Sequence, residues 1–253
     1  MPSEKRTTIG DVGLLDKSTV AVKDLGPQIA WRTVFIIEYL GPIIIHLLIF
    51  YKRPQIYSLP PYSLTEVPEV SELQELSMKM ILVHFLKREM ETLIVHRFSL
   101  ATMPVINVFK NSGHYWLLSG FLIAYVTYSP TSPTQKHFVG EPLAWVGILL
   151  FIFGEVANLY THLVLRDLRR EGTAERGIPD GFGFDWVTCP NYLFETIAWL
   201  GILVVNRSWS TAVFIIVAVA QMAQWARKKE RRYRKEFPDA YKKKKYSMLP
   251  GII

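Results

Sequence analysis

Leu143-Ala-Trp-Val-Gly-Ile-Leu-Leu-Phe-Ile-Phe-Gly-Glu155-Val-Ala-Asn158-Leu-Tyr-Thr-His162-Leu-Val-Leu165 is apolar along its whole length except at Glu155, Asn158 and His162. A helix needs about 20 mainly apolar residues to cross the hydrocarbon core of a bilayer, so this stretch is long enough to do so. It is not alone. Thr33–Tyr51 is apolar apart from Glu38 and His46, and Tyr115–Tyr128, Tyr192–Val205 and Ser210–Ala226 are further apolar blocks. Half of the residues are hydrophobic, and they are gathered rather than dispersed. The expected fold is therefore all-α, a polytopic bundle of membrane helices.

The charge is just as uneven. Arg227–Lys245 holds eleven Lys or Arg against three Asp or Glu, a local +8 in a chain whose net charge is +7. Such a flank beside a membrane helix fixes topology by the positive-inside tendency and places the C-terminus in the cytosol. It also has the chemistry to attract phosphates on anionic lipid or on a nucleotide. Nothing elsewhere resembles a base-reading module, so nucleic acid is excluded as a partner. The one cysteine, Cys189, rules out an internal disulfide or a Cys-rich metal site. Residues 1–30 read as a short polar region, with Val20-Ala-Val22 as the end of a strand and Asp24-Leu-Gly-Pro27 as a turn. Arg53–Pro68 reads as a loop, and Gly172–Phe184 as a glycine-rich loop without the G-x-G-x-x-G spacing of a Rossmann fold.

The polar residues inside the apolar blocks carry the functional argument, because such groups are costly in a membrane and normally face a cavity or a partner. Asn158, His162 and Arg166 recur every four residues, with Arg169 three further on, so one stripe climbs a single helix face. In Ser71–Arg97, His84, Lys87, Arg88 and Glu91 also share a face. That segment is either a surface helix or a bundle helix with its polar face toward a wet cavity. Glu38 lies in Val34-Phe-Ile-Ile-Glu38-Tyr-Leu-Gly-Pro42 and must be paired, protonated or functional; Lys87, Arg88 or a buried Arg from another helix is the candidate partner. Cys189-Pro-Asn-Tyr192-Leu-Phe-Glu195 sets a phenol, an amide and a carboxylate at the mouth of an apolar helix. A phenol remains a proton donor at neutral pH, since its ordinary pKa is about 10.

Several runs resemble a known family in the right order. They are Asp24-Leu-Gly-Pro-Gln-Ile, Trp31-Arg-Thr-Val-Phe with Glu38-Tyr39, and Leu86-Lys-Arg88 with Glu91-Thr-Leu93 and Val95-His-Arg-Phe-Ser99. Asn158, Leu165-Arg-Asp-Leu-Arg169 and Cys189-Pro-Asn-Tyr192 complete the set. The chain resembles the very-long-chain trans-2-enoyl-CoA reductases, which belong with the steroid 5-alpha-reductases, from about Lys23 to the C-terminus. The resemblance implies six to seven transmembrane helices around a cytosol-facing cavity that holds NADPH. It makes residues 31–253 the reductase domain and residues 1–30 a remnant of the family's ubiquitin-like region. It implies reduction of a very-long-chain trans-2-enoyl-CoA in the endoplasmic reticulum membrane, the last step of fatty acid elongation, beside the other enzymes of that cycle. The residues matching the family's catalytic set are Glu38, Lys87 and Tyr192. Those matching its cofactor site are Asn158, His162, Arg166, Arg169, Asn191, Glu195 and Tyr233, with His162 standing where the steroid branch has an Asp. The rival readings are a steroid or polyprenol double-bond reductase, a membrane methyltransferase and a non-catalytic scaffold.

Overall fold

The computed structural model describes residues 16, 18–19, 24–98, 101–135, 141–168 and 177–253. The strand expected at Val20–Val22, the site residue Arg169 and the first part of the glycine-rich loop lie outside the described residues. Among the described residues eight α-helices follow one another: α1 (Trp31–Tyr51), α2 (Arg53–Tyr57), α3 (Glu72–Met90), α4 (Ile106–Gly113), α5 (Ile123–Thr127), α6 (Pro142–Asp167), α7 (Pro190–Asn206) and α8 (Trp209–Glu236). Wider π-helical turns continue α3 through Glu91–Val95 and join α4 to α5 through His114–Leu122. The only sheet among the described residues pairs β1 (Gln28–Ala30) antiparallel with β2 (Thr102–Pro104). This small sheet was not legible in the sequence, and neither was α2, which occupies part of the expected Arg53–Pro68 loop.

By length and composition, α1, α6 and α8 could each cross a membrane. The outer face of α6 shows why the chain needs lipid: Leu143, Trp145, Leu149, Ile152, Phe153 and Val156 are all exposed. An apolar surface that continuous is a contact surface. The inner face is built differently. A Cβ on Gly154 would stand 2.4 Å from the Ala198 nitrogen, and one on Gly201 would stand 2.6 Å from the Gly147 carbonyl oxygen. Small residues therefore let α6 and α7 meet backbone to backbone, as membrane helices do when packing rather than hydrophobicity joins them. This close approach brings the polar residues of α6 within reach of the start of α7.

α3 begins at a capping box, in which Ser71 accepts from the Gln74 N–H and the Gln74 side chain accepts from the Ser71 N–H. It is embedded, not superficial: Leu73, Ile81 and Phe85 join Tyr39, Phe151, Trp199 and Ile202 in the main core. On α1, His46 accepts from the Tyr128 hydroxyl at 2.6 Å and donates to the Ser119 carbonyl at 2.8 Å. That assignment follows because a carbonyl can only accept. It ties α1 to the segment that runs through α5.

Candidate active site

Of the two readings open for Ser71–Arg97, the structure takes the bundle helix over the surface helix, with the polar face packed against other side chains. His84 is 2% exposed and Glu91 fully buried, because α1, α6 and α7 close around the polar face of α3. Where α3 loosens into its π-turn, the His96 N–H reaches the Glu91 carbonyl at 2.7 Å. Wide turns of this kind often occur at functional sites.

His84 Nδ1 lies 2.6 Å from Glu155 of α6, and its Nε2 lies 3.3 Å from Glu195 of α7. Ionised carboxylates only accept, so both ring nitrogens donate and His84 is an imidazolium. One turn further on, Lys87 donates to Asn158 Oδ1 at 2.5 Å and stands 3.0 Å from Glu155 and 3.2 Å from Glu91. Arg88 holds Glu91 at 2.5 Å and donates to the Tyr39 hydroxyl at 3.0 Å. His162 Nδ1 lies 3.1 Å from Glu91 and 3.3 Å from Arg88. Three cations (His84, Lys87, Arg88) thus face three carboxylates (Glu91, Glu155, Glu195). Burying single charges costs several kcal/mol each, a cost that only close pairing with added hydrogen bonds offsets. The cluster meets that condition.

Asn158 links the cluster to the next helix by donating to the Asn191 carbonyl at 2.8 Å. Tyr192 follows in the first turn of α7. Among the described residues its hydroxyl makes no hydrogen bond, and its ring packs near Trp225 and the small cluster around Cys189 and Met248. Arg88 is the cation whose charge acts most strongly on this phenol. The Glu38 carboxyl is buried, with Asn111 and Arg88 as its electrostatic neighbours and one oxygen lacking any hydrogen bond among the described residues. No ion pair joins Glu38 to Lys87 or Arg88 among the described residues, because Glu91 and Glu155 already engage those cations.

The structure therefore brings together Lys87, Asn158, His162, Asn191 and Glu195, with Glu38 and Tyr192 at the edges. It does not bring in every expected residue. Arg166 turns to Asp167 at 2.7 Å and is partly exposed, so the α6 stripe divides between an inner and an outer end. Tyr233 is buried against Tyr241, with Lys229 over its ring, and contacts none of the cluster. Tyr39, His84, Arg88, Glu91 and Glu155 had not been expected as site residues. The shared face of His84, Lys87, Arg88 and Glu91 was visible in the spacing, whereas Tyr39 and Glu155 carried no signal of their pairing.

Glu91, His96 and His162 place possible ligand atoms within 4.8 Å of one another. A divalent ion does not fit there, since Glu91 is already shared between Arg88 and Lys87 and the added positive charge would be uncompensated.

A compensated cluster of charges, walled by membrane-length helices and bordered by an uncommitted phenol and carboxyl, defines a helical membrane enzyme. The model of the 3-oxo-5-alpha-steroid 4-dehydrogenase family matches residues 101–253. A Schizosaccharomyces pombe protein, provisionally named an enoyl reductase, is 43% identical over 98% of this chain and 80% of its own length. The very-long-chain enoyl-CoA reductase of Dictyostelium discoideum is 39% identical over 93% of this chain and 75% of its own. A Caenorhabditis elegans protein given that same name provisionally is 37% identical over 97% and 79%. The chain belongs to the 3-oxo-5-alpha-steroid 4-dehydrogenase family and is an oxidoreductase acting on CH–CH bonds.

Proposed function

We propose that this chain reduces the trans-2 double bond of a very-long-chain enoyl-CoA to the saturated acyl-CoA. The observation that carries the reading is the join between two halves. The buried cluster of α3, α6 and α7 ends at Tyr192 and Glu38, in a chain similar to enoyl-CoA reductases along nearly its whole length. The proposed setting is the endoplasmic reticulum, with six to seven spans, a cytosolic basic C-terminus and the other elongation enzymes as neighbours. Residues 31–253 would form the reductase domain.

The donor and acceptor set fits a nicotinamide dinucleotide. Asn191 Oδ1 is a buried acceptor without a donor among the described residues, which suits a carboxamide NH2. Arg32, His96 and Arg97 line an open cavity of about 460 Å3 at the start of α1, and guanidinium forks suit phosphate oxygens. Asn158, His162, Arg166, Arg169, Asn191, Glu195 and Tyr233 are the residues proposed to hold NADPH. When bound, this cofactor supplies the hydride for the beta carbon of the substrate.

The chain's own residues have three tasks. Tyr192 donates the proton that the alpha carbon gains, a role worth roughly a hundred- to ten-thousand-fold in rate. Lys87, with Arg88 beside it, supplies positive charge for the negative charge that builds on the thioester oxygen. Glu38 orients the phenol or the substrate carbonyl through the oxygen that now lacks a partner. The acyl chain leaves between helices into the lipid.

The family's description favours a second reading, a steroid double-bond reductase. Purified protein given NADPH and either a long trans-2-enoyl-CoA or a 4-ene-3-keto steroid separates the two. Oxidation of NADPH with the enoyl-CoA is expected; oxidation with the steroid alone overturns the proposal.

A further inference from the structure

The stretch just before α7 is tied to that helix through the Cys189 carbonyl, which accepts from the Tyr192 N–H at 3.1 Å and the Leu193 N–H at 3.4 Å. Cys189, the residue before the helix, offers no side-chain cap. The C-terminal segment holds the same stretch from outside the helix. Val187 forms a parallel bridge with Tyr246, the Thr188 N–H donates to the Tyr246 carbonyl at 3.3 Å, and the Cys189 N–H donates to the Ser247 carbonyl at 2.9 Å. The segment then closes on itself, as Met248 and Leu249 both donate to the Ile253 carbonyl.

Two further fastenings secure this strap. Met248 is fully buried with Cys189, Met222, Ala223 and Ala226, and the ring of Tyr192 packs against that group. On α8, one oxygen of the buried Glu230 accepts from both Thr188 and Tyr241. Burial, reinforced by the Glu230 carboxylate, holds the Tyr241 phenol above its usual range, so it remains a donor. The active-site cluster reaches the first part of α7 through Asn158 on the Asn191 carbonyl and through His84 beside Glu195.

We propose that Tyr241–Ile253 is a positioning element of the active site, in which Met248 backs the ring of Tyr192 and the Tyr246–Ser247 pairing sets the register of Val187–Cys189. The inference rests on Tyr192 being the proton donor. A phenol with no hydrogen bond to fix its hydroxyl depends on the packing behind its ring for its aim. A shift of about 1 Å at a reacting group can cost a hundredfold in rate. The strap therefore acts on the proton-transfer step while leaving substrate binding alone.

The test uses the full chain with Met248→Ala, Met248→Leu and Tyr241→Phe, assayed with NADPH and a long trans-2-enoyl-CoA. Met248→Ala is expected to lower kcat at least about tenfold, with KM within about twofold, and to enlarge the solvent deuterium isotope effect. Met248→Leu restores kcat, because it refills the same volume. Tyr241→Phe falls between the two. A second readout needs no turnover. Cys189 is the chain's one thiol, fully buried, and burial pushes it up to about 11. Met248→Ala should make it open to N-ethylmaleimide, while the parent and Met248→Leu stay protected.

An unchanged isotope effect, or a loss of kcat matched by an equal loss of folded protein, overturns the inference. So does a Met248→Ala enzyme of full activity. If the parent itself fails to oxidise NADPH with enoyl-CoA, the functional reading fails, and the thiol readout still reports whether the strap covers the α7 start.

Discussion

Arg88→Met tests whether the buried cluster is held by charge pairing. The guanidinium holds Glu91 at 2.5 Å and the Tyr39 hydroxyl at 3.0 Å, and it lies 5.2 Å from the centre of the Tyr39 ring. Methionine keeps much of the volume and removes the charge. Stranding one partner of a buried pair costs about 3–5 kcal/mol. Lys87, 3.2 Å from the other Glu91 oxygen, still compensates part of that carboxylate, so the lower end applies, about 3 kcal/mol. At roughly 2–4 °C per kcal/mol for a chain of this size, the melting temperature should fall by about 6–12 °C. The assay is thermal unfolding in detergent, read from the seven tryptophans. Adding Glu91→Gln removes the stranded charge, and the double variant should recover about 0.5–3 kcal/mol of coupling. A single variant that melts within about 2 °C of the parent would refute the reasoning, as would a double variant no more stable than the single one.

Tyr192→Phe should lower kcat about a hundred- to ten-thousand-fold, with stability changed by under about 1 kcal/mol, since the hydroxyl makes no hydrogen bond among the described residues; kinetics paired with a melting curve checks both. Glu38→Gln removes a buried carboxyl with an unpaired oxygen, so it should lower kcat without lowering the melting temperature. A fall in both would point to an ion pair instead. Gly154→Val forces a side chain into the Ala198 backbone and should cost at least about 1–3 kcal/mol, seen as lost folded protein on size exclusion. Gly113→Ala meets open space and should be neutral or slightly stabilising on the same column, because alanine favours a helix by about 0.5–1 kcal/mol.

Much of the fold was legible because long apolar blocks need no partner to be recognised. α1, α6, α7 and α8 fall on the blocks read from hydropathy alone. The β1–β2 pairing was not legible, since three residues on each side carry no pattern and their register depends on where α1 and the π-turn leave the chain. Within the site, Asn158 and His162 announced themselves by sitting on one face of an apolar helix. Arg166 shared their spacing, yet it turns outward to Asp167 at the helix end. Spacing defines a face, whereas the depth of each residue depends on the neighbouring helix.

The sequence by itself determined that this is a helical membrane protein, with a polar stripe on α6, a polar face on α3 and a phenol at the head of α7. Those features follow from local periodicity and from the cost of polar groups in lipid. Which charges meet was decided only by the tertiary structure. Gly147, Gly154 and Gly201 let α6 lie against α7, and that approach, with α3 alongside, sets Glu155 on His84 and Lys87 and sets Asn158 on the start of α7. Pairing depends on distances of a few ångströms between segments about 70 residues apart. No single stretch of sequence encodes that.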